Sequence, residues 1–261
     1  MRRFSAAYLE EARRGLWENR EALADLDLPG RERILDVGCG SGEFTRVLRE
    51  ESAATVVGLD ADRSLLVRAD ADGRAHGDAT RLPFRENAFD LVVCQALLVN
   101  LPDPGAAIAE FGRVSSDLVA AIEPDNAGVA VDSTVDAESR LARRARRAYI
   151  GGVETDVTLG DASDLFERAG LSGVRSREHR HRRIVEPPYS EAAIESAARK
   201  ASGERLAEKR AELLAGGLSE AAYDDLRAAW REMGRDVIEA MQAGTYERVE
   251  TTPYFVTVGR A

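Results

Sequence analysis

The segment that most limits how this chain can fold is Ile34-Leu35-Asp36-Val37-Gly38-Cys39-Gly40-Ser41-Gly42-Glu43-Phe44. A short buried strand must turn through three alternate glycines straight into a helix. Glycine lets the backbone approach a ligand closely, and the helix start leaves N-terminal amides free for an anionic group. A dinucleotide loop wants its third glycine three residues after the second, but Glu43 stands there, and no phosphate-loop lysine follows. The loop is shaped for an anion smaller than a diphosphate, such as a carboxylate.

Around this segment, β-branched apolar runs alternate with amphipathic stretches, the pattern of parallel α/β units. Strands are expected over 34–37, 55–60, 75–78, 89–94 and 118–122. Helices are expected over 43–51, around 63–69, and after Pro102-Asp103-Pro104, with Ile108, Phe111 and Val114 facing inward. The strand ends gather on one sheet edge, where such folds bind ligands. Asp60 ends the second strand, where a carboxylate can accept hydrogen bonds from both hydroxyls of a ribose, so a nucleoside is implied. Asp78, in Gly77-Asp78-Ala79, can accept from an adenine amino group while a neighbouring amide donates to the ring.

In order, Asp36-x-Gly-x-Gly-x-Gly42, Asp60, Gly77-Asp78-Ala79, Leu82-Pro83-Phe84 and Phe89-Asp90-Leu91-Val92 resemble the class I S-adenosylmethionine-dependent methyltransferases. The likeness is greatest to the small-molecule branch that includes the ubiquinone and menaquinone biosynthesis enzymes. It covers Arg33 to Glu123, about a third of the chain. It implies a seven-stranded, mostly parallel, doubly wound sheet with a helical cap, and S-adenosylmethionine as cofactor. Gly38 and Gly40 would pass against the methionyl part and Asp36 would orient the loop and the amino group. Asp60 with Ala61 would hold the ribose, Asp78 with Ala79 the adenine, and Gln95 would lie beside the sulfonium and the acceptor. Val174–Val185 would be the sixth strand and Tyr254–Val258 the antiparallel seventh.

Methyl transfer from a sulfonium has an activated leaving group, so alignment can carry much of the rate, and no catalytic base is assigned. His76 is expected to be structural, while His179 and His181 share a strand face that could reach a cap pocket. Cys94-Gln95 lacks the proline of the cytosine-C5 enzymes, so Cys94 is expected to pack. Cys94-Gln95-Ala96-Leu97 also lacks the Asn/Asp-Pro-Pro-Tyr/Phe turn of enzymes that methylate exocyclic amines. Relatives often carry histidine where this chain has Asn100.

The remaining chain divides, on this reading, into an N-terminal helical segment (1–30, with Tyr8, Leu9, Leu16 and Trp17), a core (31–187 and 251–261, with 124–158 partly cap) and a helical insertion (188–250) forming a cap. Within the insertion, Tyr223, Leu226, Trp230, Met233, Val237 and Met241 form an apolar stripe suited to packing. Two cysteines, Cys39 and Cys94, make no disulfide framework and no zinc spacing. No metal is expected. No apolar run approaches the roughly 20 residues that span a bilayer, so a cytoplasmic protein is expected. Acids outnumber bases 46 to 36, for a net charge of −10, which disfavours nucleic-acid partners. Lys200 and Lys209 are the only lysines, a balance that suggests a salt-adapted, halophilic cytoplasm.

Against that acidity stand two arginine clusters: Arg140, Arg143, Arg144 and Arg147 on one helix face, and Arg175, Arg177, His179, His181 and Arg183 on one strand face. They either pair with the abundant acids or meet an anionic substrate such as a carboxylate, a phosphate or an RNA backbone. The function expected is methyl transfer to a small molecule, with an RNA-modifying enzyme or a non-catalytic cofactor- or partner-binding module as alternatives.

Overall fold

A computed structural model describes Leu16, Trp17 and residues 20–261. Tyr8 and Leu9 of the expected N-terminal helix lie outside the described residues. Trp17 stacks on Phe44 with ring centroids 4.8 Å apart, and short 3-10 helices follow over Glu21–Leu26 and Leu28–Gly30.

The elements run β1 (Arg33–Val37), α1 (Glu43–Glu51), β2 (Thr55–Asp60), α2 (Arg63–Leu66), β3 (Gly73–His76), β4 (Phe89–Gln95), α3 (Pro104–Val114) and β5 (Ser115–Pro124). They continue with β6 (Ala130–Ser133), α4 (Asp136–Gly152), α5 (Ser163–Arg168) and β7 (Ser172–Val185). After α6 (Glu191–Ser202), α7 (Glu204–Glu208), α8 (Arg210–Ala215) and α9 (Glu220–Gln242), the chain ends in β8 (Arg248–Arg260). It forms two compact units. The first holds the described residues up to Asp125 with Leu159–His179 and Pro253–Ala261; the second holds Asn126–Thr158 and Arg180–Thr252. The division falls inside β7 and β8, where no composition shift marks it.

In the first unit the strands order β3-β2-β1-β4-β5-β8, with β7 paired to β8. β1 to β5 are parallel, and β8 runs antiparallel to β5. Alternation along the strands feeds two layers. Leu35, Val92, Val119 and Ala121 meet Ile108, Phe111 and Phe166 on one side. Ile34, Leu91, Val93 and Ala120 meet Phe44, Leu48 and Trp17 on the other. Both faces are covered, as a parallel sheet requires, and each fully buried large side chain stabilises the fold by about 1.5–3 kcal/mol.

The fold differs from the expectation in three places. The helix around 63–69 stops at Leu66, and the next residues tighten into three-residue turns, Arg68 N–H to Leu65 O and Ala69 N–H to Leu66 O. That tightening seats Ala69 against Gly42, whose added Cβ would lie 2.7 Å from the Ala69 Cα. β3 ends at His76 because Asp78 leaves the sheet to turn with Thr80. β6, inside the connection after β5, makes an eighth strand by pairing Ala130–Ser133 antiparallel with Thr251–Arg248.

The second unit packs helices around Leu141, Ala145, Leu206, Leu213, Tyr223, Leu226, Met233 and Val237, with Trp230 and Met241 at the edge. Glycine permits the closest approaches: a Cβ on Gly216 would stand 1.7 Å from the Ala148 carbonyl oxygen, and one on Gly152 1.8 Å from that of Glu212. A charge network lies beside this core. Glu138, 1% exposed, takes Lys200 Nζ at 2.5 Å, Arg248 Nε at 3.1 Å, the Tyr246 hydroxyl at 2.9 Å and the Ser133 hydroxyl at 2.7 Å. Arg248 also reaches Glu250 at 2.6 Å, and Arg183 donates to Glu250 at 2.5 Å. Among the described residues no helix is long and apolar enough to cross a membrane.

Candidate cofactor site at the strand ends

Gly38, Gly40 and Gly42 have φ of 73°, 58° and 90°. These are left-handed values that a side chain resists. Space adds a second constraint at Gly38, where a Cβ would lie 2.9 Å from Leu97 Cδ1. The loop's amides, however, are used inside the protein. Gly38 and Cys39 donate to Leu59 O, Gly42 donates to Cys39 O, and Gly40 donates to the Asp60 carboxylate at 2.8 Å. The glycines' contribution is a fixed backbone shape.

Asp60 joins three parts of the edge. Its Oδ2 takes the Gly40 amide, its Oδ1 takes the Asp62 amide at 2.7 Å, and its backbone carbonyl takes the Gly77 amide. A carboxylate offers about four lone-pair sites, so these two amide contacts leave acceptor capacity for a diol. Asp36 is buried and accepts from the Thr45 hydroxyl at 2.6 Å, which ties the end of β1 to α1. Asp78 is exposed and closes a turn on the Thr80 amide and hydroxyl at 2.9 and 2.8 Å, bonds that hold its carboxyl below the usual range. Ala79 beside it is buried. Ala61 follows Asp60, and its carbonyl lies 3.1 Å from His76 Nε2, so His76 braces this edge. Gln95 is buried at the end of β4, opposite Ile122 of β5.

The register places Asp36, Asp60, His76 and Gln95 at the carboxyl ends of β1, β2, β3 and β4. The strand order reverses between β1 and β4, and open α/β sheets bind ligands at such a crevice. These residues fit the ribose-and-adenine half of a nucleoside-bearing cofactor: a carboxylate with spare acceptors, an exposed carboxylate and glycines that keep side chains off the loop.

Sequence reasoning passed over Glu123. It is fully buried, and its carboxylate accepts the amides of Leu97 at 3.0 Å, Leu98 at 2.9 Å and Val99 at 3.3 Å. It thereby holds the loop after Gln95, in which Ala96 takes a φ of 49°. Asn100 adds a bond from its amide to Ala96 O at 2.8 Å. Burial pushes Glu123 up to about 7, against the pull of those amides. The available signal was an acid continuing the apolar run Leu118–Ile122. Cys94 Sγ lies 3.6 Å from Glu123, and burial followed by that neighbouring charge raises its thiol well above the ordinary range. A thiol held neutral there packs and does not attack.

His179 stacks on Tyr254 with centroids 5.5 Å apart, and burial with the Arg177 charge lowers its pKa. Arg175 and Arg177 lie 3.9 and 3.5 Å from Asp25, and Arg183 pairs with Glu250. Three members of that strand cluster thus have carboxylate partners.

Residues 35–117 match the family model described as a methyltransferase domain. The chain is similar to the demethylmenaquinone methyltransferase of Lactiplantibacillus plantarum, 35% identical over 107 residues that cover 36% of this chain and 45% of that protein. It is also similar to that of Staphylococcus aureus, 32% identical over 108 residues covering 38% and 44%. The chain therefore spans less than half the length of these relatives. In structure it is similar to a putative methyltransferase of Bacillus halodurans, with TM-score 0.51, 15% identity and coverage of 90% and 94%. A Bacillus subtilis protein, YcgJ, gives TM-score 0.51 at 14% identity over 92% and 98%. The segment carrying the glycine loop thus matches the class of methyltransferase domains. Within that class its likeness is to the quinone-biosynthesis branch.

Proposed function

We propose that the chain transfers a methyl group from S-adenosylmethionine to a small, anionic acceptor. The observation that carries this reading is the Asp60 carboxylate, fixed by the Gly40 and Asp62 amides at the carboxyl end of β2. When bound, the cofactor supplies a methyl on a positively charged sulfur. Asp60 and Ala61 would bind the ribose, Asp78 and Ala79 the adenine, and Asp36, Gly38 and Gly40 the methionyl end. Gln95, kept in place through the Glu123-held loop, would face the reacting centre. Alignment rather than a dedicated base carries the rate.

Acceptor selection is assigned to the chain outside the family match, which ends at residue 117. The acid surplus of the whole chain supports a small acceptor over nucleic acid. The same surplus and the scarcity of lysine support a halophilic cytoplasm as its setting. Incubation with methyl-labelled cofactor, host metabolites and host RNA tests the reading. Label in the metabolite fraction is expected. Label only in RNA would make it an RNA-modifying enzyme, and no label in either would favour a non-catalytic binding module.

A further inference from the structure

α4 carries Arg140, Arg143, Arg144 and Arg147 at i, i+3, i+4 and i+7, all exposed. With Ala148 and Gly216–Leu218 they line a cleft of about 270 Å³ with no carboxylate in its wall. None of the four is in an ion pair among the described residues; Arg144 donates to the Ala222 carbonyl at 3.3 Å. Nearby arginines behave differently. Arg146, on the other side of the same helix, faces Glu250 at 3.9 Å, Arg199 reaches Glu208 at 3.2 Å, and Arg210 pairs with Glu220. Like charges three and four positions apart on a helix repel, so this face carries an uncompensated positive charge in an acid-rich chain.

The opposite wall fixes the shape. Gly216 lies so close to the Ala148 carbonyl that no larger residue fits, and the amides of Gly216, Gly217 and Leu218 donate to Glu212, Leu214 and Leu213. Recognition therefore falls to the guanidinium groups.

We propose that this cleft binds a condensed phosphate, the di- or triphosphate group of a small molecule. Guanidinium forks match phosphate oxygens in pairs. At a helical rise of 1.5 Å per residue, the run from i to i+7 spans about 10 Å, more than a single phosphate needs. The cleft is smaller than the roughly 300–1,000 Å³ typical of drug-sized ligands, which suits a compact, charge-dense group over a polynucleotide. Every residue involved belongs to the second unit, so the proposal does not rest on the methyl-transfer reading.

The test is calorimetric titration of the full chain, without S-adenosylmethionine, using orthophosphate, pyrophosphate, tripolyphosphate, citrate and a single-stranded RNA oligomer as probes. Arg140→Gln, Arg143→Gln, Arg147→Gln and their triple combination keep most of each side chain and remove its charge. Saturable tripolyphosphate binding is expected, at least tenfold tighter than orthophosphate. Each single variant should weaken it about fivefold, and the triple variant should abolish it at an unchanged melting temperature. Absent binding, or unchanged binding in the triple variant, would overturn the proposal. So would citrate matching tripolyphosphate, or RNA binding more tightly through the same arginines. Cofactor titration of the same samples reports separately on the strand-end site.

Discussion

The two units each hold a fully buried glutamate and a half-buried acid, and they hold them in different ways. In the first, Glu123 and Asp60 are fixed by backbone amides: three converge on Glu123, and Asp60 takes those of Gly40 and Asp62. In the second, Glu138 and Glu250 are fixed by cations, namely Lys200, Arg248 and Arg183. Amides orient a carboxylate without neutralising it, so burial still dominates at Glu123 and raises it to about 7. At Glu250 burial also pushes upward, but the Arg248 and Arg183 charges together outweigh it and hold the group at about 2. Backbone anchoring ties an acid to loop geometry, whereas charge anchoring ties together segments far apart in sequence.

The largest expected effect lies in the charge-anchored unit. Glu138→Ala strands Lys200 as a buried charge, leaves Arg248 with Glu250 alone, and should cost about 3–5 kcal/mol in urea unfolding. A loss below about 1 kcal/mol would mean that the network is ornamental and the contrast false.

The pH responses should have opposite signs. Glu123 keeps its proton in the fold up to about pH 7, while the unfolded chain ionises near 4.5. Its contribution to stability is therefore full below about 4.5 and declines by about 3 kcal/mol as pH rises to about 7. Glu250 is depressed, so its contribution is present above about 4.5 and lost as pH falls toward about 2. Unfolding free energies measured across pH should show the neutral-side decline flatten in Glu123→Gln, and the acid-side decline flatten in Glu250→Gln. Identical profiles in both variants would remove the distinction.

Gly42→Ala should cost about 2 kcal/mol, because a side chain at φ 90° is strained and its Cβ meets Ala69. Thermal melting checks this; a neutral effect would mean that the loop yields. Smallest of all, any single Arg140, Arg143 or Arg147 to Gln change should move stability by no more than about 0.5 kcal/mol, since these side chains hold nothing in place.

What was legible in the sequence follows the same division. The strand-end features are local: Asp36, the glycines, Asp60 and Asp78 each stand beside the turn they serve, so spacing along the chain exposes them. The parallel core was legible for the same reason, since alternating apolar runs mark β1, β2, β4 and β5. Glu123 escaped because its three amides lie more than twenty residues upstream, and nothing in a single sequence links them. The network around Glu138 joins Lys200, Tyr246 and Arg248 across still longer separations. β6 was hidden because four residues pair with a strand over a hundred positions later. The bonds that occupy the loop's own amides were not legible, because Leu59 O, which accepts two of them, comes from a neighbouring strand.

Calorimetric titration with S-adenosylmethionine, comparing the native chain with Asp60→Ala, tests the strand-end site most directly. The carboxylate has two tasks there, taking the Gly40 amide and offering its remaining acceptors to a ribose. Saturable one-to-one binding is expected, weakened at least tenfold in the variant while the fold is retained by circular dichroism. Equal affinity in the two proteins, or no binding by the native chain, would contradict the assignment.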